Sequence, residues 1–341
     1  MENLNYLVFC LFFINLIFVK SYKFIEKKYD LYDKPDETRK KQPKPVPLLG
    51  GLLFLINIFT YFFYEYFFNS KSFFYTLGFL GEIKIFIFCA CTIVIFLVGY
   101  IDDKIKLKPL TKLILLSIVM YVIFSINLSI IINSLDFSFH DNSIDLFGLG
   151  ILFSIFCVLT YINSLNMLDG INLISGFYYL SIVMTLFLYN YQIPLATTLL
   201  FATIFFIFLN YDGKIYLGDS GVYLVSFLLS LAIIGLYETN KFHAEKIFLL
   251  MFLPTIDFFR LIVKRLLNKK HPFEADENHF HLVVDRRYKK FTKNLILLFF
   301  IFAPILLDFF FNNNELVIII FMSIMYYFVL NKNFWLNNKI I

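Results

Sequence analysis

The chain has 341 residues, of which 60% are hydrophobic and only 16% charged, and its net charge is +5 at neutral pH. With a mean hydropathy of +0.75, it is far more apolar than soluble domains, so the composition excludes an ordinary soluble protein and indicates an integral membrane protein. The four cysteines all lie inside apolar runs without zinc-ligand spacing, and we expect free thiols at Cys10, Cys89, Cys91 and Cys157.

A membrane-spanning helix needs about 20 mostly apolar residues. The sequence has about eleven such runs, at 4–19, 47–68, 83–101, 110–132, 149–165, 171–189, 193–210, 220–237, 244–263, 294–311 and 315–331. These runs predict an all-α integral membrane protein, a polytopic bundle of about 11 transmembrane helices in which residues 1–341 form one domain.

The basic residues predict the orientation of this bundle. The first run has no basic residue ahead of it and is followed by Lys20, Lys23, Lys27 and Lys28, the reverse of a signal peptide. We therefore expect a retained helix with the N-terminus outside. With that start, all of the 30 Lys and Arg fall in inner segments except Lys71, Lys84, Lys241 and Lys246. Inner segments are the positive ones, so the C-terminus is predicted to be cytoplasmic.

Five of the predicted inner segments carry clusters of carboxylates, amides and histidines. In chain order they are DKPDETRKKQPKPVPLLGG (33–51), DDKIKLKPLTK (102–112), NSLNMLDGINLISG (163–176), NYDGKIYLGDSG (210–221) and PTIDFFRLIVKRLLNKKHPFEADENHFHL (254–282). The outer loops, including NSLDFSFHDNSIDL (133–146), have no comparable cluster. Taken singly, each has an ordinary explanation: a solvated helix end for Asp102 and Asp103, or a surface loop for His279 and His281. Asn163 and Asn166 could merely hydrogen-bond between helices.

Several acidic side chains that converge at membrane depth are costly and indicate a functional site. Carboxylates at helix ends can hold Mg²⁺ together with substrate phosphates, and basic residues and loop N–H groups complement phosphate. The turn from Gly218 to Gly221 allows the backbone to approach a ligand. This chemistry favours phosphoryl transfer to a lipid over ion transport, whose sites lie near the bilayer midplane.

The five segments together resemble the polytopic polyprenyl-phosphate N-acetylhexosamine-1-phosphate transferases, glycosyltransferase family 4. The resemblance runs from Asp33 to His281 through D-x-P…R-K…P-V-P-x-x-G-G, DDxxxLxPxxK, NxxNxxDGxN, N-x(5)-Y-x-G-D-x-G and PxxDxxR…PFxxDxxHxH. It implies that undecaprenyl phosphate attacks the sugar-bearing phosphate of a UDP-N-acetylhexosamine and releases UMP. It also implies a Mg²⁺ requirement, with Mn²⁺ as an alternative, and an active site on the cytoplasmic face of a bacterial inner membrane.

The resemblance also implies roles for individual residues. Asp219 would be the principal metal ligand and Asp102 and Asp103 would activate or position the lipid phosphate, with Lys112 as counter-charge. Whether an Asp acts as base or as nucleophile stays open. Tyr216 would stack on uracil, and His279 and His281 would approach the diphosphate or sugar, His279 as a catalytic group. Further substrate or metal contacts are expected from Asn163, Asn166, Asp169, Asn172 and Asn210, with Asp169 and Asn166 as additional metal ligands.

This chain departs from the family pattern at several positions. Asn172 and Leu173 stand where DGxDG has Asp and Gly, Val222 replaces the Ser of GDxGS, Leu282 replaces the last His of HxHH, and Gln42 replaces a His in the first loop. Each departure weakens the transfer of one residue's role. None removes Asp102, Asp103, Asp169 or Asp219.

Two other functions remain open at the level of sequence. One is phospho-N-acetylmuramoyl-pentapeptide transferase of peptidoglycan synthesis, although PFEADENHFHL lacks that enzyme's three-histidine run. The other is a transporter or lipid-binding membrane protein, although no pair of broken apolar segments in two related halves supports it. We expect a compact donor, UDP-N-acetylglucosamine or a close N-acetylated relative, whose product feeds a surface glycan such as O antigen. No nucleic-acid partner is expected, and a homodimer is left open.

Overall fold

The structure is a computed structural model that describes residues 2–35, 44–68, 82–240, 242–271, 278–311 and 314–331. Within these ranges the chain forms thirteen α-helices: α1 (Glu2–Tyr29), α2 (Gly50–Phe67), α3 (Glu82–Ile105), α4 (Pro109–Ile126), α5 (Gly150–Leu168), α6 (Ile174–Leu188), α7 (Ile193–Tyr211), α8 (Gly218–Asn240), α9 (Ala244–Leu250), α10 (Phe252–Leu267), α11 (Phe280–Arg287), α12 (Lys290–Phe310) and α13 (Glu315–Leu330). Two short antiparallel pairs join them: β1 (Tyr32–Asp33) with β2 (Val46–Pro47), and β3 (Ser134–Phe137) with β4 (His140–Asp145).

Eight of the described helices are long and apolar enough to cross a membrane, namely α1 to α5, α7, α8 and α12. Helices α6 and α13 are apolar but shorter. The prediction of an all-helical chain with many candidate spans is therefore confirmed. The number of about eleven spans and the orientation of the termini stay predictions.

The predicted span at 244–263 is wrong as one continuous helix, because the chain breaks at Met251 into α9 and α10. Pro254 lies in the first turn of α10 and has no N–H to bond the carbonyl of Leu250. The Tyr178 hydroxyl donates to that freed carbonyl instead, at 3.2 Å. The length of the apolar run predicted a span but did not reveal this interruption.

Helix α8 is the axis of the bundle and its spanning segment is buried inside the protein. Helix α3 packs along it most extensively, with α2 and α5 on other sides. The contact with α3 depends on Gly99, since a Cβ there would lie 2.4 Å from the Cα of Ser220 and 2.6 Å from the carbonyl oxygen of Asp219. This close approach brings the last turn of α3 against the first turn of α8.

Polar pairs fix the helices around this axis. Asn15 of α1 and Asn57 of α2 exchange reciprocal amide hydrogen bonds of 2.6 and 3.0 Å, and both side chains are fully buried. Such amide pairs join helices where no hydrophobic driving force distinguishes neighbour from lipid.

The first predicted inner segment is tied to the start of α8 by its backbone. The Leu48 N–H donates to Leu31 across the β1–β2 pair, and the Tyr216 N–H donates to Pro47 at 3.0 Å. Gly50 in turn donates to the Tyr216 carbonyl at 2.9 Å. Consequently Asp33, on β1, lies near the loop that leads into α8.

Candidate active site

Three helix ends meet at one end of the bundle and bring four carboxylates together. Asp102 and Asp103 lie in the last turn of α3, Asp169 directly follows α5, and Asp219 is in the first turn of α8. We call these four residues the acidic centre. The sequence predicted this convergence from segments that are up to 117 residues apart (102 to 219).

Asp103 caps the N-terminus of α8 from the neighbouring helix. Its Oδ1 accepts the Asp219 N–H at 2.8 Å, and its Oδ2 accepts the Ser220 N–H at 3.1 Å. The chain enters α8 through Gly218 at φ +75°, where a Cβ would lie 2.8 Å from the Asp103 carboxylate. The carboxylate thus satisfies N–H groups that no intrahelical partner can reach.

Asp102 is held in a different way, by a cation and a phenol. It is 3% exposed, and its Oδ2 accepts from Lys112 Nζ at 2.9 Å and from the Tyr223 hydroxyl at 2.6 Å. The Leu107 N–H donates to Oδ1 at 2.8 Å. The predicted counter-charge, Lys112, therefore pairs directly with the first aspartate of the motif.

Asp169 and Asp219 are half-buried and less completely paired. Asp219 interacts electrostatically with the carboxylates of Asp102 and Asp103 and with Lys112. Burial raises the pKa of Asp169 to about 6, and the negative charges of Asp103 and Asp33 raise it further, while a hydrogen bond with the Ser175 side chain opposes the shift. Four carboxylates with one lysine among them favour an additional positive charge.

A divalent cation fits the donor chemistry of this centre but has no complete cage in the protein. The described residues include no group of three or more His, Cys, Asp or Glu arranged to hold a metal ion. Asp169 and Asp219 offer the hard oxygen ligands that Mg²⁺ prefers, and Mg²⁺ takes its other ligands from water and substrate phosphates. Asn166, the third predicted metal ligand, is half-buried on α5 one turn before Asp169.

The predicted asparagines have distinct positions. Asn163 donates to the Leu159 carbonyl of its own helix at 2.7 Å, and Asn172 is exposed in the turn after α5. Asn210 is 4% exposed: its Oδ1 accepts the Leu173 N–H at 2.7 Å and its Nδ2 donates to the Ile215 carbonyl at 3.0 Å. Asn210 therefore staples two loops of the site, and its predicted substrate contact stays a prediction.

Tyr216 lies beside the acidic centre, and its stacking on uracil stays a prediction. The side chain is half-buried in the loop before α8, and it interacts with the charges of Asp33 and Asp169. Its backbone is fixed to Pro47 and Gly50. The ring is thus placed by the backbone pairing that joins the first and fourth sequence segments.

A second cluster, the arginine–histidine network, consists of Asp257, Arg260, His279 and Tyr326. Asp257 is 5% exposed and accepts from Arg260 Nη2 at 2.7 Å and from the Tyr326 hydroxyl at 2.6 Å. Its Oδ2 lies 3.1 Å from His279 Nδ1. With the proton on Nδ1, His279 donates to Asp257 and Nε2 is left as an acceptor.

His281 connects this network with the acidic centre. It is 1% exposed, its ring stacks on that of His279 at 5.7 Å, and a Cβ on Gly170 would collide with its Nε2. Neither ring nitrogen has a hydrogen-bond partner among the described residues. Burial and the neighbouring His279 lower the pKa of His281 to about 3. An uncharged buried ring with unused nitrogens beside Asp169 is a candidate ligand-binding group.

The sequence did not assign roles to Tyr223, Asp257, Arg260 or Tyr326. Asp257 and Arg260 had a signal in the PxxDxxR motif, but Tyr223 and Tyr326 lie inside apolar helices where a tyrosine has no distinctive pattern. The predicted loop residues Pro272, Phe273 and Asp276, and Gln42 in the first segment, lie outside the described residues.

Three of the departures from the family pattern lie at described positions. Leu173, where the pattern has Gly, adopts φ +75°, a left-handed conformation that costs a leucine about 1 to 2 kcal/mol. Val222 is 1% exposed and packs into the core of the bundle instead of presenting a hydroxyl. Leu282 is half-buried in α11.

Comparison with known proteins agrees with the sequence motifs. The family model described as Glycosyl transferase family 4 matches residues 85–237, which include all four carboxylates of the acidic centre and run from α3 into α8. A protein of Thermotoga maritima, named undecaprenyl-phosphate alpha-N-acetylglucosaminyl 1-phosphate transferase, is 28% identical over 278 residues, covering 80% of this chain and 79% of that protein. Proteins with the same name from Escherichia coli K12 and Salmonella typhi are 25% and 26% identical over 293 residues, covering 81% of this chain and 75% of each.

Proposed function

We propose that this chain, which belongs to glycosyl transferase family 4, transfers N-acetylglucosamine-1-phosphate from UDP-N-acetylglucosamine to undecaprenyl phosphate and releases UMP. The observation that carries the proposal is the acidic centre, four carboxylates held at one end of an apolar bundle. The names of the relatives supply the substrates. The product would be the first lipid-linked intermediate of a surface glycan.

In the proposed reaction an oxygen of the lipid phosphate attacks the sugar-bearing phosphorus of the donor. A new P–O bond forms, the P–O bond of the diphosphate bridge breaks, and UMP leaves with the bridging oxygen. Catalysis of such a transfer rests on positioning and on stabilising charge. Tyr216 would stack on the uracil of the donor.

Within the acidic centre the four carboxylates would have different tasks. Asp103 holds the first turn of α8 in place. Asp102 pairs with Lys112, and Lys112 would face the lipid phosphate. Asp219 and Asp169, together with Asn166, would hold Mg²⁺ against the diphosphate. The ion would supply the positive charge that the four carboxylates lack.

The arginine–histidine network would bind the sugar-phosphate part of the donor. Arg260 carries a permanent charge and its side chain is 25% exposed, so it can pair with a phosphate oxygen. The unused nitrogens of His281 lie next to the loop that begins at Asp169. A site that hydrogen-bonds the N-acetyl group would reject donors without it, because its own polar groups would be left unpaired.

The direct test is UMP release by purified protein in detergent with undecaprenyl phosphate, Mg²⁺ and a panel of UDP-sugars. We expect turnover with UDP-N-acetylglucosamine and its loss in EDTA. Turnover only with UDP-N-acetylmuramoyl-pentapeptide would assign the chain to peptidoglycan synthesis instead. If folded protein released no UMP with any UDP-sugar, a non-enzymatic lipid-binding function would be favoured.

We further propose that the site faces the cytoplasm of a bacterial inner membrane, as the distribution of Lys and Arg predicts. Single cysteines at Asp212 and Asn142, both exposed, test this in a background without native cysteines. An impermeant thiol reagent on intact cells should label Asn142→Cys and spare Asp212→Cys. The opposite labelling would reverse the topology. A homodimer remains a prediction that cross-linking in membranes can check.

A further inference from the structure

The last helix, α13, reaches the arginine–histidine network through one side chain. Tyr326 is 4% exposed. Its hydroxyl accepts from Arg260 Nε at 2.9 Å and donates to Asp257 Oδ1 at 2.6 Å. One oxygen atom of α13 therefore joins the cation and the carboxylate of the network.

The ring of Tyr326 also contacts the segment that carries the histidines. It stacks on Phe280 at 4.8 Å with an interplanar angle of 21°, and it meets Phe300 of α12 edge-on at 6.0 Å. Phe280 lies between His279 and His281 in the chain. These ring contacts fix the start of α11 without help from the hydroxyl.

Helix α13 has a separate attachment at its C-terminal end. Arg287, in the last turn of α11, donates through Nη1 to the carbonyls of Val329 at 3.1 Å and Leu330 at 2.9 Å. These are terminal carbonyls that the helix cannot pair internally. Since this clamp and the ring stacking already dock α13, the Tyr326 hydroxyl is not needed merely to hold the helix.

The hydroxyl is instead one of three groups that hold the guanidinium of Arg260, together with the Asp257 carboxylate and the Asn278 carbonyl. Nε donates to the Tyr326 hydroxyl at 2.9 Å and, in a longer contact of 3.3 Å, to Asp257 Oδ1. Nη2 donates to Asp257 at 2.7 Å and to the Asn278 carbonyl at 2.6 Å. Since a guanidinium is planar with donors in a fixed fork, two constrained nitrogens fix the direction of the third. Nη1 makes no hydrogen bond to the part of the chain that the structure describes, and it is the nitrogen left to meet an anion.

We propose that Tyr326 is a positioning residue for the transfer reaction: its hydroxyl orients Arg260, and through Asp257 also His279, toward the phosphate groups of the donor. The inference rests on the proposed function. It makes α13, which lies outside the region matched by the family model, a working part of the active site.

The test is Tyr326→Phe, which removes the hydroxyl and keeps the stacked ring. We expect kcat for UMP release to fall about 10- to 100-fold, as small misplacements of a positioned group do, with little change in thermal unfolding in detergent. The matched control is Tyr327→Phe on the next position of the same helix, where the ring is 63% exposed. Its kcat should match that of the wild type.

A double-mutant cycle separates positioning from general support. Lysine keeps the charge of Arg260 but has no Nε donor for the hydroxyl to hold. Tyr326→Phe should therefore change kcat less than about twofold in an Arg260→Lys background, because the two residues act as one unit. An equal loss in both backgrounds, or a loss of unfolding temperature that parallels the loss of kcat, would overturn the proposal.

A readout without activity separates this proposal from the function itself. If the wild type releases no UMP, the proposed function fails. Trypsin cleavage after Lys269 and Lys270 still reports on the network, because Arg260 on α10 is hydrogen-bonded to the Asn278 carbonyl. Tyr326→Phe should then be cleaved faster than the wild type and Tyr327→Phe should not. Equal cleavage of all three proteins would exclude the orienting role.

Discussion

The acidic centre and the arginine–histidine network lie at the same end of the bundle but differ in their balance of charge. The acidic centre gathers four carboxylates around one paired lysine, Lys112. In the network a single carboxylate, Asp257, receives hydrogen bonds from an arginine, a histidine and a tyrosine. The first region is therefore short of positive charge, whereas in the second the charge of the carboxylate is balanced by protein groups.

The difference indicates what each region can bind. Crowded carboxylates repel one another unless a cation or protons reduce their charge, so the acidic centre is suited to a metal ion with phosphate ligands. The network is already neutralised and ordered, and it offers a fixed guanidinium to an anion. Between them His281 contributes nitrogens that the described residues leave without a partner.

The largest expected effect comes from removing one charge from the acidic centre. Asp219→Asn keeps the size of the side chain but would weaken the proposed Mg²⁺ site by one charge. We expect kcat to fall at least about 100-fold, the scale of losing one group that stabilises transition-state charge, or a much higher Mg²⁺ requirement. UMP release across a Mg²⁺ titration measures both.

The matched control is Asp212→Asn, an aspartate seven positions earlier (212 against 219) that is 51% exposed and, among the described residues, forms an ion pair with Lys214 alone. It should retain wild-type turnover and Mg²⁺ dependence. Unchanged kinetics in Asp219→Asn would remove the distinction between the two regions.

Lys112→Met tests the cation that, among the described residues, pairs with the acidic centre. Without Lys112 the buried Asp102 keeps its bonds from Tyr223 and Leu107 but loses its paired cation, so the excess of negative charge grows. We expect a loss of UMP release of about 10- to 100-fold, as for partners that orient a functional group. Lys108→Met, at an exposed lysine of the same motif, should be near wild type. Equal effects at both positions would point to general positive potential rather than the pair.

Tyr216→Ala tests whether donor binding begins with base stacking. Stacking on an aromatic ring is worth about 1 to 3 kcal/mol per base, so the KM for the UDP-sugar should rise about 10-fold or more with kcat little changed. Tyr211→Ala, at a tyrosine 63% exposed at the end of α7, is the control. A change in kcat alone would exclude a stacking role for Tyr216.

The smallest expected effect is a pH dependence at His281. The ordinary histidine pKa is 6.5 and burial lowers that of His281 to about 3, so between these values the unfolded chain binds a proton that the native state does not. The contribution of His281 to the free energy of unfolding is therefore complete above about pH 6.5, and it is lost progressively as the pH falls toward 3. Unfolding of His281→Asn should depend less on pH between 7.5 and 5.

The control for this prediction is His140→Asn, since His140 is exposed on β4. It should keep the pH dependence of the wild type. An identical pH profile for His281→Asn and the wild type would show that the ring is accessible to protons in the native protein.

Much of the fold could be predicted because lipid imposes a strong pattern on sequence. Ten of the apolar runs correspond to single helices, from Glu2–Tyr29 through Glu315–Leu330, since a backbone in hydrocarbon must satisfy its own hydrogen bonds. The prediction of one continuous helix at 244–263 was wrong because one proline interrupts the helix while the hydropathy of the run stays high.

The candidate site divides in the same way. The polar motifs identified Asp102, Asp103, Asp169 and Asp219, because a charge at the end of an apolar run is costly and therefore conspicuous in the sequence. The motifs could not show that Asp103 caps α8, that Asn210 staples two loops, or that Leu173 adopts a left-handed conformation. Each of these depends on a neighbour distant in the chain or on a backbone angle.

By itself, the sequence determined the membrane-embedded helical class, the family resemblance and the types of residue at the reacting end, because hydropathy and motif spacing are local properties of the chain. Only the tertiary structure decided which carboxylates are already paired and which side chains orient them. Tyr223 and Tyr326 lie in apolar helices and become part of the site only when packing brings their hydroxyls to 2.6 Å from Asp102 and Asp257. A tyrosine in an apolar helix has no distinctive sequence pattern, and its role is defined by the partner of its hydroxyl, so these assignments required the tertiary structure.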